Sequence, residues 1–130
     1  MTTRKLGGCI KNKTMTTINE IAARLTSLCE EFKFIDAYSE LFSEHAVSID
    51  PIYKNEPLTG LPGLLERERQ FLSANEITDI KISEPLFAGN YFTVTLSMHF
   101  NSKGGESRRV EELCVYKVEN GKIVSQQFFM

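Results

Sequence analysis

The stretch LFSEHAVSIDPIYKNEPLTG, residues 41–60, decides how the chain is read. It begins inside a helical pattern, passes through the alternating segment AVSID and stops on Asp50-Pro51. A residue that precedes proline is pushed toward extended geometry, so Asp50 closes a strand and Pro51 opens a turn. The loop YKNEPLTG then leads into a further helix. Asp50 has two readings at this place. It is a turn residue whose side chain bonds the backbone just beyond it, or it is a carboxylate facing a cavity.

Upstream, Thr17 and Glu20 have the spacing of a capping box, and Ile18, Ile21, Ala22, Leu25, Leu28, Cys29 and Phe32 follow at helical intervals. This predicts a first helix over residues 18–33. Ile35, Tyr38, Leu41 and Phe42 repeat the period, so a second short helix is expected to end near Ser43, before a strand over residues 46–50. Downstream, a third helix is expected over residues 61–74, with Pro62 in its first turn, where a missing N–H does no harm. Beyond it the apolar period changes from about 3.6 residues to about 2. Strands are expected over residues 77–84, 91–101, 107–118 and 122–130, separated by Pro85, Gly89-Asn90, Gly104-Gly105 and Asn120-Gly121. The last pair is a type I′ hairpin signal. Helices followed by such a meander give an α+β domain, a curved antiparallel sheet covered by three N-terminal helices.

The 130 residues suit a single domain, placed at residues 17–130 behind a basic tail over residues 1–16. The tail carries Arg4, Lys5, Lys11 and Lys13 with no acid, and the rest of the chain is acidic. Without interleaved aromatics, and beside a body that repels phosphate, the tail gives no expectation of a nucleic-acid partner. No apolar run approaches the length of a membrane span, and residues 1–15 lack the apolar block of a secretory signal. Cys9, Cys29 and Cys114 are odd in number and form no CxxC pair, which argues for reduced thiols in the cytoplasm. No phosphate loop, Ser-His-Asp order, nucleotide fingerprint or metal-ligand spacing is present, so no cofactor and no metal are expected.

Two further acids stand out beside Asp50. On the third helix the apolar positions Leu61, Leu64, Leu65 and Leu72 put Glu68 on the inward stripe and leave Glu66, Arg67 and Arg69 outside. On RRVEELCVYKV, residues 108–118, parity groups Glu112 with Cys114, Tyr116 and Val118, and Glu111 with Leu113, Val115 and Lys117. The alignment of the hairpin favours Glu112 inside, and a β-bulge would reverse the choice. The same parity gives an apolar lining of Phe42, Val94, Leu96, Met98, Phe128 and Met130, with Gln126 as a polar member and Tyr38 and Tyr53 closing the mouth. His99 shares the opposite face with Thr93, Thr95 and Ser97, a surface better suited to a dimer contact than to catalysis. His45 is expected at the end of the second helix, where an imidazolium meets the helix dipole favourably.

The order helix, helix, strand, helix and then four long strands resembles the nuclear transport factor 2-like superfamily, cone-shaped domains that include ketosteroid isomerases and SnoaL-like polyketide cyclases. LFSEHAVSIDP, the LTG before the third helix and the final VYKVENGKIVSQQFF carry the resemblance, which covers residues 17–130. It implies a cone enclosing a pocket and a homodimer formed through the outer sheet face. It also sets Asp50 at the place of the isomerases' general base. Those enzymes hold a developing enolate with a tyrosine on the first helix and a protonated aspartate on the penultimate strand. Thr26 stands at the first position and Leu113 or Cys114 at the second, so steroid isomerisation is not expected. His45 replaces the acid that the family carries before its strand.

The leading expectation is a small-molecule pocket with Asp50 as base and Glu112 or Glu68 as its protonated partner, in an isomerase, cyclase or dehydratase. Carboxylates gathered in an apolar cone cannot all ionise cheaply. The alternative is a non-catalytic ligand-binding or dimerisation module on the same fold. A third reading has the acids holding a cationic amine or a metal.

Overall fold

A computed structural model describes residues 17–130, so the basic tail and Cys9 lie outside the described residues. Helix α1 spans Ile18–Glu30, α2 Phe34–Leu41 and α3 Leu61–Ala74. Strand β1 spans Phe42–Ile49, β2 Leu58–Thr59, β3 Asn75–Ile82, β4 Leu86–Ala88, β5 Tyr91–Ser102, β6 Ser107–Glu119 and β7 Lys122–Phe129. The strands form one unclosed sheet in the order β2-β1-β7-β6-β5-β3, with β4 added to β5.

The capping box forms as the sequence implies, with the Thr17 hydroxyl and the Glu20 carboxylate each satisfying the other's backbone N–H. The first helix nonetheless stops earlier than its apolar period. Phe32 takes a left-handed backbone (φ 63°), while Phe32 N–H bonds Cys29 O and Lys33 N–H bonds Leu28 O. These are the paired bonds of a Schellman end, which closes a helix without a glycine here. Phe32, placed inside by periodicity, is therefore exposed at the cap and stacks on Phe34.

The second helix passes straight into a strand at Phe42, which is already extended (φ −97°, ψ 146°). Residues 43–45 thus belong to β1, and His45 is an exposed strand residue instead of a helix-end cation. The sheet is also mixed and not wholly antiparallel, because β1 lies parallel to β7. A parallel pair needs a long connection, and these two strands are joined through all of α3 to β6.

The longest pairing, β5 with β6, runs without a register shift from Tyr91↔Lys117 to Asn101↔Ser107. One face of these strands is therefore fixed along its whole length. Phe92, Val94, Cys114 and Tyr116 from that face pack with Ile21, Leu25 and Leu28 of α1, Leu41 of α2 and Leu64 of α3 in the main core. A smaller cluster of Phe34, Met98 and Phe100 extends toward β3. The helices cover the sheet without filling its concavity, and the unfilled part is the cavity described next.

Among the described residues no helix is long and apolar enough to cross a membrane.

Candidate functional site

A cavity of about 460 Å³ lies between the helices and the concave face of the sheet. That size suits a small organic ligand. Its floor is built by strand parity. Val94, Leu96 and Met98 of β5 alternate inward, and the unbroken register sets Leu96 opposite Glu112 and Val94 opposite Cys114. Glu112 accordingly lines the cavity, with no bulge to turn it outward. From β7, Gln126 and Phe128 line the same space, and Phe42 joins them at the start of β1.

Asp50 leaves the end of β1 and lines the cavity at its rim. Its Oδ1 accepts the Ile52 N–H at 2.9 Å and caps a single 3₁₀ turn over Pro51–Tyr53. Asp50 is thus a turn residue that also borders the cavity: the turn uses one carboxylate oxygen, and among the described residues no hydrogen bond is made to the other. The capped turn carries the exposed Ile52 and Tyr53 to the mouth. Tyr38 goes elsewhere. Its hydroxyl reaches inward and accepts the Gln126 Nε2–H at 2.8 Å, while its ring packs on Phe42 at 4.7 Å.

Helix α3 supplies more than periodicity assigned to it. Leu64 is 2% exposed, and the positions three and four residues on, Arg67 and Glu68, both line the cavity. Arg67 is predicted on the outer face by the apolar stripe alone. Its Nη2–H donates to Ser48 Oγ at 3.1 Å, and its guanidinium lies 4.1 Å from the centroid of the Tyr53 ring. Ser48, wholly buried, also accepts from Gln126 Nε2 at 2.9 Å. The polar chain Arg67–Ser48–Gln126–Tyr38 has no single motif in the sequence. Its signals were the helical offset from Leu64 and the parity that Ala46, Ser48 and Asp50 share.

Burial dominates the electrostatics. It pushes the Glu68 carboxyl up to about 7, with Arg67 opposing the shift and the charge of Asp50 adding to it. Glu112 is likewise pushed up to about 7 by burial and by the charges of Asp50 and Glu68. A carboxyl with a midpoint there holds a proton to give and can also take one back near neutrality. Burial raises the Cys29 thiol to about 12 and the Cys114 thiol and Tyr38 phenol further, so all three stay protonated.

The two positions that would match an oxyanion pair contribute nothing of that kind. The Thr26 hydroxyl donates to Ala23 O of its own helix, and Leu113 is on the outer face, which leaves the neutral thiol of Cys114 inside. His99 is exposed outside, 3.9 Å from Asp79. Among the described residues no group of His, Cys, Asp and Glu side chains has the arrangement of a metal site.

The chain belongs to the SnoaL-like domain family, whose model matches residues 15–130. No curated protein matches it. Solved structures share the fold. A proposed SnoaL-like polyketide cyclase from Mesorhizobium loti superposes with a TM-score of 0.80 at 22% identity, covering 88% of this chain and all of its own (100%). A proposed isomerase from Bacillus subtilis gives 0.71 at 14% identity, covering 87% of this chain and 88% of its own. A protein of ketosteroid isomerase-like fold from Catenulispora acidiphila, solved in complex with trimethylamine, gives 0.68 at 15% identity, covering 85% of each chain.

Glu68 holds its proton more tightly folded than unfolded, so its contribution to stability is complete below about pH 4.5 and is lost as pH rises through about 7. Glu68→Gln removes that loss. In urea melts at about pH 8 the variant is expected to exceed the parent by about 2 kcal/mol, with the gain shrinking toward zero at about pH 5. A variant no more stable than the parent at the higher pH would contradict a desolvated carboxylate.

Proposed function

We propose that the cavity binds a small apolar ring or polyketide-like molecule and moves a proton within it, as an isomerase, cyclase or dehydratase does. The observation that carries this reading is the meeting of three carboxyl groups from three separate elements, Asp50 after β1, Glu68 on α3 and Glu112 on β6, in one mainly apolar cavity. Asp50 acts as base and takes a proton from a carbon next to a carbonyl group. The electron pair left behind moves onto the carbonyl oxygen, where neutral Glu112 or Glu68 donates a hydrogen bond or a proton. Tyr38 is a further donor, since its buried phenol keeps its proton and accepts only from Gln126. The proton on Asp50 then returns to another atom of the same molecule, or leaves with a hydroxyl group as water.

Exchange of the α protons of 2-tetralone in D₂O, followed by NMR, reads this step without knowledge of the natural substrate. The protein is expected to accelerate exchange well beyond buffer, and Asp50→Asn to lower the acceleration about a hundredfold or more. Exchange no faster than in buffer would favour the second reading, a ligand-binding or assembly module. That reading is supported by the use of Asp50 Oδ1 in the turn and by the lack of an oxyanion pair at Thr26 and Cys114.

The same proposal includes a homodimer formed through the outer face of the sheet. Leu113 and Phe129 sit opposite each other in the β6–β7 register, and both are more than two-fifths exposed (41% and 48%). An adjacent apolar pair beside β-branched neighbours suits a self-complementary contact. Sedimentation at micromolar concentration is expected to give a dimer, and Leu113→Glu a monomer with an unchanged far-ultraviolet spectrum. A monomeric parent would contradict the outer-face contact. The free thiols Cys29 and Cys114 support a reducing, cytoplasmic location.

A further inference from the structure

The polar chain along and behind the cavity wall has hydrogen-bonding capacity beyond the Tyr38 proton that the proton-transfer reading uses. Ser48 Oγ receives both Arg67 Nη2–H and Gln126 Nε2–H, and Tyr38 Oη receives the other hydrogen of the same amide. With the amide in this orientation the Ser48 and Tyr38 hydroxyl protons have no acceptor among the described residues, and neither has Gln126 Oε1 a donor. Gln126 is only 3% exposed and lines the cavity. Turned over, its oxygen would accept from both hydroxyls, and its two N–H groups would be left over instead. The first orientation leaves the Tyr38 hydroxyl proton, and the second the two Gln126 N–H groups, as free donors on the cavity wall.

Arg67 adds charge to that surplus. Its planar guanidinium is held on one side by Ser48 and on its face by Tyr53, so its geometry is fixed before any ligand arrives. Yet among the described residues no carboxylate lies within ion-pair distance of it, although seven other such pairs are formed. A half-buried arginine with no carboxylate in ion-pair contact, whose charge reaches Glu68 only at longer range, stands next to a buried amide with spare hydrogen-bonding capacity, and the two match an acceptor that brings a negative charge.

We propose that the ligand is an apolar molecule carrying a carboxylate, with the carboxylate oxygens bound by the cavity-lining Arg67, Tyr38 and Gln126, which the buried Ser48 holds in place from behind. The apolar body then lies over Val94, Leu96 and Met98, within reach of Asp50, Glu68 and Glu112. Arg67 is a specificity-determining residue in this arrangement: it fixes which end of the molecule enters and so which carbon meets the carboxyl groups. The inference rests on the cavity being a small-molecule site, and it is independent of whether proton transfer follows.

Three probes of one shape test it: 2-naphthoate, 2-naphthamide and 2-naphthylmethylammonium, with binding to the full chain followed by calorimetry near neutral pH. The carboxylate is expected to bind about tenfold or more tightly than the amide. Arg67→Met is expected to abolish that preference while amide binding persists, and Arg67→Lys to restore part of it. The lysine variant, with thermal melts of both, separates loss of recognition from loss of fold. Equal binding of carboxylate and amide, a preference unchanged in Arg67→Met, or tightest binding of the ammonium probe would each overturn the inference. Failure of all three probes would strike the small-molecule reading and this inference with it. Failure of tetralone exchange with the carboxylate preference intact would remove catalysis alone.

Discussion

Taking a carboxyl group out of water costs more than most single contacts in a small domain return, and this cone does so twice, at Glu68 and Glu112. The rest of the site follows from that constraint. Each side chain is carried to the cavity by the position it holds on its element. Glu68 sits four residues beyond the buried Leu64, and Glu112 sits between residues of a long strand whose register cannot slip without exposing Cys114 and Tyr116. The cost is offset by protonation, which makes both carboxyl groups reservoirs of a proton near neutrality.

The cavity wall combines two chemistries: Asp50, Glu68 and Glu112 supply carboxyl groups, and Arg67, Gln126 and Tyr38, linked through the buried Ser48, supply a hydrogen-bonded polar set close enough for Glu68 to feel Arg67. Asp50 belongs to both the fold and the site, since the oxygen that caps the Pro51–Tyr53 turn also fixes the carboxylate at the rim. Tyr53, carried by that turn, holds the face of Arg67. Local backbone chemistry at Asp50-Pro51 therefore positions the mouth, the acid and the arginine together.

Much of this arrangement was legible in the sequence because it depends on period and punctuation. The capping box, the proline in α3, the change of period at residue 75 and the Asn-Gly hairpin gave the element order, and parity placed Glu112 beside Cys114 and Tyr116. Other features depend on long-range geometry. The parallel pairing of β1 with β7 has no local signal, and the Schellman end at Phe32 uses a residue that looks apolar and inward. The charge of Arg67 suggests an outward side chain, while its offset from Leu64 carries it inward. Ser48 carries little signal alone, since a serine on an inward strand position is informative only once its partners are known.

The chemistry of the cavity turns on Glu68 and Glu112 being desolvated together in the field of Asp50. Carboxyl ¹³C titration by NMR tests it most directly. The account predicts midpoints near 7 for both groups, with that of Glu112 falling when Asp50 is replaced by Asn. Midpoints near the ordinary value of 4.5, unmoved by that substitution, would contradict it.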